Sequence, residues 1–197
     1  MEKGSDQETL LWLQFKEGSR EAFAAIYELH GGSLIAYGLR LCPDRDMLKD
    51  QIQELFVELW FSRKNIAPTD NVKFYLFKAL RFKLIRASKR RWSGIALPHW
   101  AAGPDDRFPD RPVEESIIER ESQESQHDLL KRSLATLTPR QQEAIQLRFY
   151  QGFNQAEVAA LMDLNTQSVS NLIYQGICRL KELMIPAAIS LLPFFLL

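Results

Sequence analysis

Between Gln167 and Cys178 the side chains of Gln167, Ser170, Asn171, Tyr174 and Cys178 recur at helical spacing. Amides, a small hydroxyl and a phenol both donate and accept hydrogen bonds. A helix that presents such groups near its N-terminal end has the means to read base edges in a DNA major groove. The same stripe also fits an ordinary solvated helix face, and spacing alone does not choose between the two. A second group lies earlier in the chain: from Lys78 to Arg91 there are seven basic residues and no acidic one. Phe74, Tyr75, Phe77 and Phe82 are interleaved with Lys73, Lys78, Arg81, Lys83, Arg86, Lys89 and Arg90. Cations hold phosphates, and aromatic rings stack on bases that have left the duplex. Tyr75 and Phe77 are expected in the core, whereas Phe82, set among Arg81, Lys83 and Arg86, fits either place. A third group, Asp50, Gln53, Glu54 and Glu58, forms an acidic, amide-bearing patch that by itself reads as solvated.

Helices must hold these groups in place. Asn154 and Glu157 have the spacing of a capping box, so a helix begins near Gln155. Val158, Leu161 and Met162 mark its buried face, and the period ends at Asp163. Asn165 or Thr166 then caps a second helix, whose stripe of Val169, Leu172, Ile173, Ile177, Leu180 and Met184 needs a core. Residues 154–184 therefore read as a helix-turn-helix. Upstream, Thr138, Pro139 and Gln141 place a cap, a first-turn proline and a capping-box amide in order, for a helix running to about Gln151 and stopping at Gly152. In the N-terminal half, helices are predicted over residues 7–17, 20–42, Asp46 to Phe61 and Val72 to about Arg91, with Gly31 and Gly32 weakening the second. Ser93 to Pro112 holds four of the nine prolines together with Asp105, Asp106 and Asp110, and reads as a linker; helical character returns from Val113.

The predicted fold class is all-α, with two small helical domains, residues 1–92 and 113–184, joined by a flexible acidic linker over 93–112. The second contains the helix-turn-helix, and an apolar tail occupies 185–197. A bilayer span needs about 20 apolar residues. The tail is shorter and carries Pro186 and Pro193, so docking on a groove of the protein or of a partner is expected instead.

The 197 residues balance 25 basic against 25 acidic groups, which at first argues against a nucleic-acid partner. The distribution reverses that impression, because residues 1–91 hold 16 basic and 12 acidic groups while residues 92–127 hold 3 and 8. Cys42 and Cys178 stand far apart without a CxxC or histidine-rich partner, so neither a disulfide framework nor a metal site is expected, and a reducing cytoplasm is the natural setting. Met1 to Gln7 is polar and acidic, unlike a secretory leader. His30, His99 and His127 are isolated, and no glycine-rich phosphate loop, paired metal ligands or nucleophile elbow is present. No catalytic residue, cofactor or small-molecule substrate is expected.

Three N-terminal segments, FAAIYELH at Phe23, DQIQELFVELW at Asp50 and YLFKALRFKLIRASKR at Tyr75, and the C-terminal run LTPRQQEAIQLRFYQGFNQAEVAALMDLNTQSV occur in one order. Together they resemble a bacterial sigma factor of the extracytoplasmic-function (ECF) type, the promoter-specificity subunit of RNA polymerase, over residues 8–184. The resemblance implies that Asp50, Gln53 and Glu54 press against the clamp helices of core RNA polymerase. It implies that Lys73, Lys78, Arg81, Phe82, Lys83, Arg86, Lys89 and Arg90 belong to the part that recognises and melts the minus-ten element. Gln167, Ser168, Ser170, Asn171, Tyr174 and Gln175 fall in the helix that reads the minus-thirty-five element as duplex. Promoter DNA, core RNA polymerase and an inhibiting anti-sigma factor are the implied partners. Some positions depart from the family pattern. Phe82 stands where asparagine is usual, Arg86 where aspartate is common and Asp163 where glycine is usual. Ser170, Leu172 and Gln175 stand where lysine or arginine is frequent, so weak DNA binding by this unit alone is expected. The rival expectation is a free-standing helix-turn-helix regulator that acts without polymerase.

Overall fold

In the computed structural model the backbone is described for residues 2–91, 133–134 and 136–191, and side chains within these for 7–88, 133–134 and 136–182. The described residues form helices and no strand. The N-terminal half contains α1 (Glu2–Glu17), α2 (Arg20–Leu41), α3 (Arg45–Ser62) and α4 (Val72–Arg91). The C-terminal half contains α5 (Pro139–Ile145), one turn of wider π-helix (Gln146–Tyr150), α6 (Gln155–Met162) and α7 (Thr166–Leu191). The linker over 93–112, most of the helix expected from Val113 and the end of the tail lie outside the described residues.

Side-chain caps set most of the helix starts. Ser19 Oγ accepts from Ala22 N, Asp44 Oδ1 from Met47 N and Asn71 Oδ1 from Phe74 N, each meeting an amide that the first turn leaves without a helical partner. Thr138 with Gln141, and Asn154 with Glu157, close the two expected capping boxes. Helix α2, expected over residues 20–42, is one helix through Gly31 and Gly32, because Ile26, Leu34 and Tyr37 are fully buried on one side and hold it across the weak point. Two elements differ from expectation: the helix from Pro139 widens to a π-turn at Gln146–Tyr150, and the last helix is longer. Helix α7 continues through Pro186 to Leu191; a proline withdraws one amide donor, which a long stretch of helix behind it tolerates.

The buried residues form one continuous cluster. Trp12, Phe15, Ile26, Leu34, Leu76, Leu80 and Leu84 fill the space among α1 to α4, and Leu147, Val158, Leu161 and Val169 fill that among α5 to α7. Phe77 joins the two parts, with its ring centroid 5.0 Å from Tyr37 on one side and 5.2 Å from Phe153 on the other. Fully burying such side chains contributes about 2–3 kcal/mol each, so Phe77 and Phe153 bind the halves together.

His30 is buried on α2, with Nε2 2.9 Å from Glu8 Oε1 on α1. Burial lowers its pKa below 6.5; Glu8 opposes this and Lys73 adds to it. The fold thus favours the neutral imidazole, and on acidification the unfolded chain takes up this proton first. The contribution of His30 to stability is complete above about pH 6.5 and is lost as pH falls below it. Urea denaturation from pH 7.5 to 5.5 is expected to show this decline, and His30→Gln to flatten it.

Candidate nucleic-acid interface

Helices α6 and α7 are joined by a turn that hinges on one residue. Asp163 adopts φ 56° and ψ 49°, the left-handed conformation that closes α6, and Leu164 N then bonds to Ala159 O. Asn165 is the cap of α7, since its Oδ1 accepts from Ser168 N at 2.7 Å. The angle between the helices is fixed from the other side by Gln155 of α6, whose Nε2 donates to Thr166 O at 3.0 Å and to Ser170 Oγ. Val169 is fully buried, and Gly176 lets α7 approach α5 closely: a Cβ there would lie 2.7 Å from Ile145 Cδ1.

These contacts turn the polar stripe outward. Gln167, Asn171, Tyr174 and Gln175 are exposed, and Ser168 and Ser170 are half-buried. Gln167 Nε2 donates to Asn171 Oδ1 at 3.2 Å, aligning two amides along one face. Tyr174 is 71% exposed, and a hydrogen bond with Cys178 raises its pKa. Arg179 and Lys181, both exposed, are the cations nearest this face along the helix.

Among the described residues the cations of α4 separate into three sets. Lys78 and Arg86 are exposed, as is Phe82 between them, by 64%. Lys83 turns toward α3 and pairs with Glu58 at 2.8 Å and Glu54 at 3.4 Å. Lys73 and Arg81 face the C-terminal half: Lys73 Nζ donates to Gln151 O at 2.7 Å, and Arg81 Nε to Glu143 Oε1 at 2.8 Å. Burial lowers the pKa of Lys73. Burial opposes charge on Arg81 too, but the Glu143 carboxylate outweighs it and raises the pKa of the guanidinium. Lys89 and Arg90 lie on α4, with side chains outside the described residues. Tyr75, Phe82, Lys83 and Arg86 of α4 share with Glu54 and Glu58 of α3 a groove of about 760 Å³. It combines ring faces, cations and carboxylates, a lining suited to an unstacked base with its phosphate.

Asp50, Gln53 and Glu54 are all exposed on α3. Beside them α2 and α3 enclose a mainly apolar groove of about 850 Å³, floored by Phe23, Ile52, Phe56 and Trp60 and edged by Arg20, Arg45 and Lys49. Spacing did not signal the polar cluster between the halves, where Tyr37 Oη also donates to Glu143 Oε1, at 2.9 Å. Its members are 62 and 106 residues apart in sequence. The available hint was a carboxylate directly before the largely apolar stretch Ala144, Ile145 and Leu147. Among the described residues no group of three or more metal-ligating side chains occurs, and no helix is long and apolar enough to cross a membrane.

A family model described as Sigma-70, region 4 matches residues 133–182. The ECF RNA polymerase sigma factor SigL of Mycobacterium tuberculosis is 24% identical over 160 residues, covering 80% of this chain and 85% of that protein. RNA polymerase sigma-E factor of Streptomyces avermitilis is 25% identical over 150 residues, covering 76% and 78%. The sigma factor RpoE from Bartonella quintana, solved with the anti-sigma factor NepR, superimposes with a TM-score of 0.60 at 20% identity, over 82% of this chain and 96% of that one. CnrH, solved with the cytosolic domain of CnrY, gives 0.59 at 20% identity, over 91% and 97%. Both structures share the helical fold.

The turn geometry predicts how Asp163 tolerates replacement. A β-branched residue in the left-handed region costs about 1–2 kcal/mol, so Asp163→Val is expected to lower unfolding stability by that amount. Asp163→Asn and Asp163→Gly should stay within about 0.5 kcal/mol of the parent. Chemical denaturation of the three variants measures the order.

Proposed function

We propose that the chain is a sigma factor of the extracytoplasmic-function type, a reading supported by the region 4 match and by the relatives at 24% and 25% identity, and that it works in the cytoplasm as a subunit that places core RNA polymerase on a promoter class through three surfaces of its own. The exposed Asp50, Gln53 and Glu54 of α3 meet the polymerase. Lys78, Phe82 and Arg86, with Lys73, Arg81, Lys83, Lys89 and Arg90, engage the minus-ten element and its unpaired bases. Gln167, Ser168, Ser170, Asn171, Tyr174 and Gln175 read the minus-thirty-five duplex. The protein acts by binding and carries out no reaction of its own. An anti-sigma factor is the inhibitor we propose; the structural relative RpoE was solved in complex with one, NepR.

The observation that carries this reading is the outward stripe of α7, held at a fixed angle by Gln155 within the segment matched as region 4. Amides and a phenol discriminate among base edges, and along α7 Arg179 and Lys181 are the nearest cations among the described residues to hold phosphates. Few phosphate contacts mean modest intrinsic affinity and a shallow dependence on salt. Recognition then depends on the polymerase to supply the remaining affinity, which suits a subunit and not a free-standing regulator.

Transcription in vitro with bacterial core polymerase tests the reading directly, and initiation at a defined site is the expected result. Asn171→Ala with Tyr174→Ala should reduce selectivity for the upstream element by about 10-fold to 100-fold in footprinting, on the scale of two lost base contacts, with polymerase binding unchanged. Asp50→Lys with Glu54→Lys should abolish capture of core polymerase while the circular dichroism spectrum remains helical. Specific DNA binding that needs no polymerase would favour the free-standing regulator instead.

A further inference from the structure

The hydrogen-bond polarity of the outward stripe is set from outside α7. Gln155 of α6 directs its amide nitrogen at α7, with Nε2 donating to Thr166 O at 3.0 Å and to Ser170 Oγ. A serine inside a helix can turn its own hydroxyl back to the carbonyl four residues earlier, which for Ser170 is that of Thr166. Gln155 already donates to this carbonyl and also engages a lone pair of the Ser170 oxygen. The hydroxyl hydrogen of Ser170 is thereby turned away from the helix. Asn171, the next residue, has the same polarity. Its Oδ1 accepts from Gln167 Nε2 at 3.2 Å, so the oxygen is turned back along the helix and Nδ2 is left to donate. With its amide nitrogen held by α7, Gln155 has only the acceptor Oε1 to offer outward, which a phosphate oxygen repels.

We propose, on the reading of α7 as the helix that lies in the major groove, that Gln155 is a positioning residue that fixes Ser170 as a hydrogen-bond donor, so that Ser170 and Asn171 select base edges built of acceptors, guanine first. In the major groove guanine presents two acceptors, N7 and O6, and no donor. Adenine sets the N6 donor beside its N7 acceptor, thymine sets a methyl group beside O4, and cytosine presents the N4 donor. A serine hydroxyl that rotates freely suits all four and specifies none. Held by Gln155, it matches guanine and meets cytosine donor against donor, which leaves two desolvated hydrogens without an acceptor. For Asn171 the consequence is parallel. The bidentate grip of an asparagine on adenine needs its oxygen and its nitrogen on one base edge, and Gln167 holds the oxygen elsewhere.

Transcription with core polymerase from templates randomised across the upstream element, followed by sequencing of the templates that initiate, reads the base preference position by position. The parent chain is expected to select guanine over cytosine by about fivefold, the scale of one hydrogen bond, at a position that Ser170→Ala identifies by erasing the preference. Gln155→Glu reverses the polarity: its carboxylate accepts from the Ser170 hydroxyl, whose lone pairs then face the groove. The same position should change from guanine to cytosine. The first turn of α6 favours a negative charge, so the variant is expected to keep its helical circular dichroism. Gln155→Ala releases the hydroxyl and should bring the preference close to none. A weakened helix-turn-helix alone would lower initiation on all templates and leave the selected base unchanged. Guanine retained in either variant, or a parent chain that selects no guanine, overturns the proposal and leaves the functional reading standing. Absence of initiation by the parent chain, or no preferred base anywhere upstream, would sink the functional reading itself.

Discussion

A carboxylate with little exposed surface must be met by donors, and Glu143 is met by two that its own half of the chain does not supply. The arrangement of the halves follows from that requirement. For Tyr37 and Arg81 to reach one oxygen, α2 and α4 must lie against α5, which carries Phe153 onto the face of Phe77 and Gln151 onto Lys73. The apolar contact supplies most of the attraction. The polar contacts decide the register, because a slip along the interface would leave buried donors and an acceptor unmatched.

The same requirement governs where the cations of a chain of zero net charge are placed. Its cations are distributed among partners inside the molecule: Lys83 between Glu54 and Glu58, Arg81 with Glu143, Lys73 with a backbone carbonyl. Among the described residues of α4, Lys78 and Arg86 are left exposed, and they flank Phe82. Internal pairing of Lys73, Arg81 and Lys83 reduces the field that the basic run would otherwise present. Lys83 has a further consequence: it connects the residues assigned to polymerase with those assigned to DNA. A partner that took Glu54 would leave Lys83 to Glu58 alone, so the two proposed surfaces share one ion-pair network.

Local chemistry made most of the architecture legible. Capping boxes at Thr138 and Asn154, the stop at Gly152, the left-handed Asp163 and the outward stripe of α7 follow from side chains within a few residues of one another, where short-range rules apply. The N-terminal helices were legible for the same reason, α2 included, where tertiary burial around Leu34 and Tyr37 offsets the helix-weakening glycines. What the sequence withheld is long-range. A glutamate in an amphipathic segment carries no mark of which arginine it meets, and a basic run does not say which of its members face water. The widened turn at Gln146–Tyr150 was equally hidden, since a π-turn has the composition of the α-helix it interrupts.

That widened turn ties the two scales together. By fitting an extra residue before Gly152, the π-turn gives the bond from Gln151 N to Gln146 O and sets Phe153 N against Leu147 O. The segment leaving it presents Gln151 O to Lys73 and Phe153 to Phe74 and Phe77. An ordinary α-turn would rotate everything after it by about 100° per residue, carrying Phe153 away from Phe77 and α6 away from Asn71. The irregular turn is where the helix-turn-helix is aimed, so the position of the outward polar stripe of α7 relative to α4 depends on a backbone feature outside both helices.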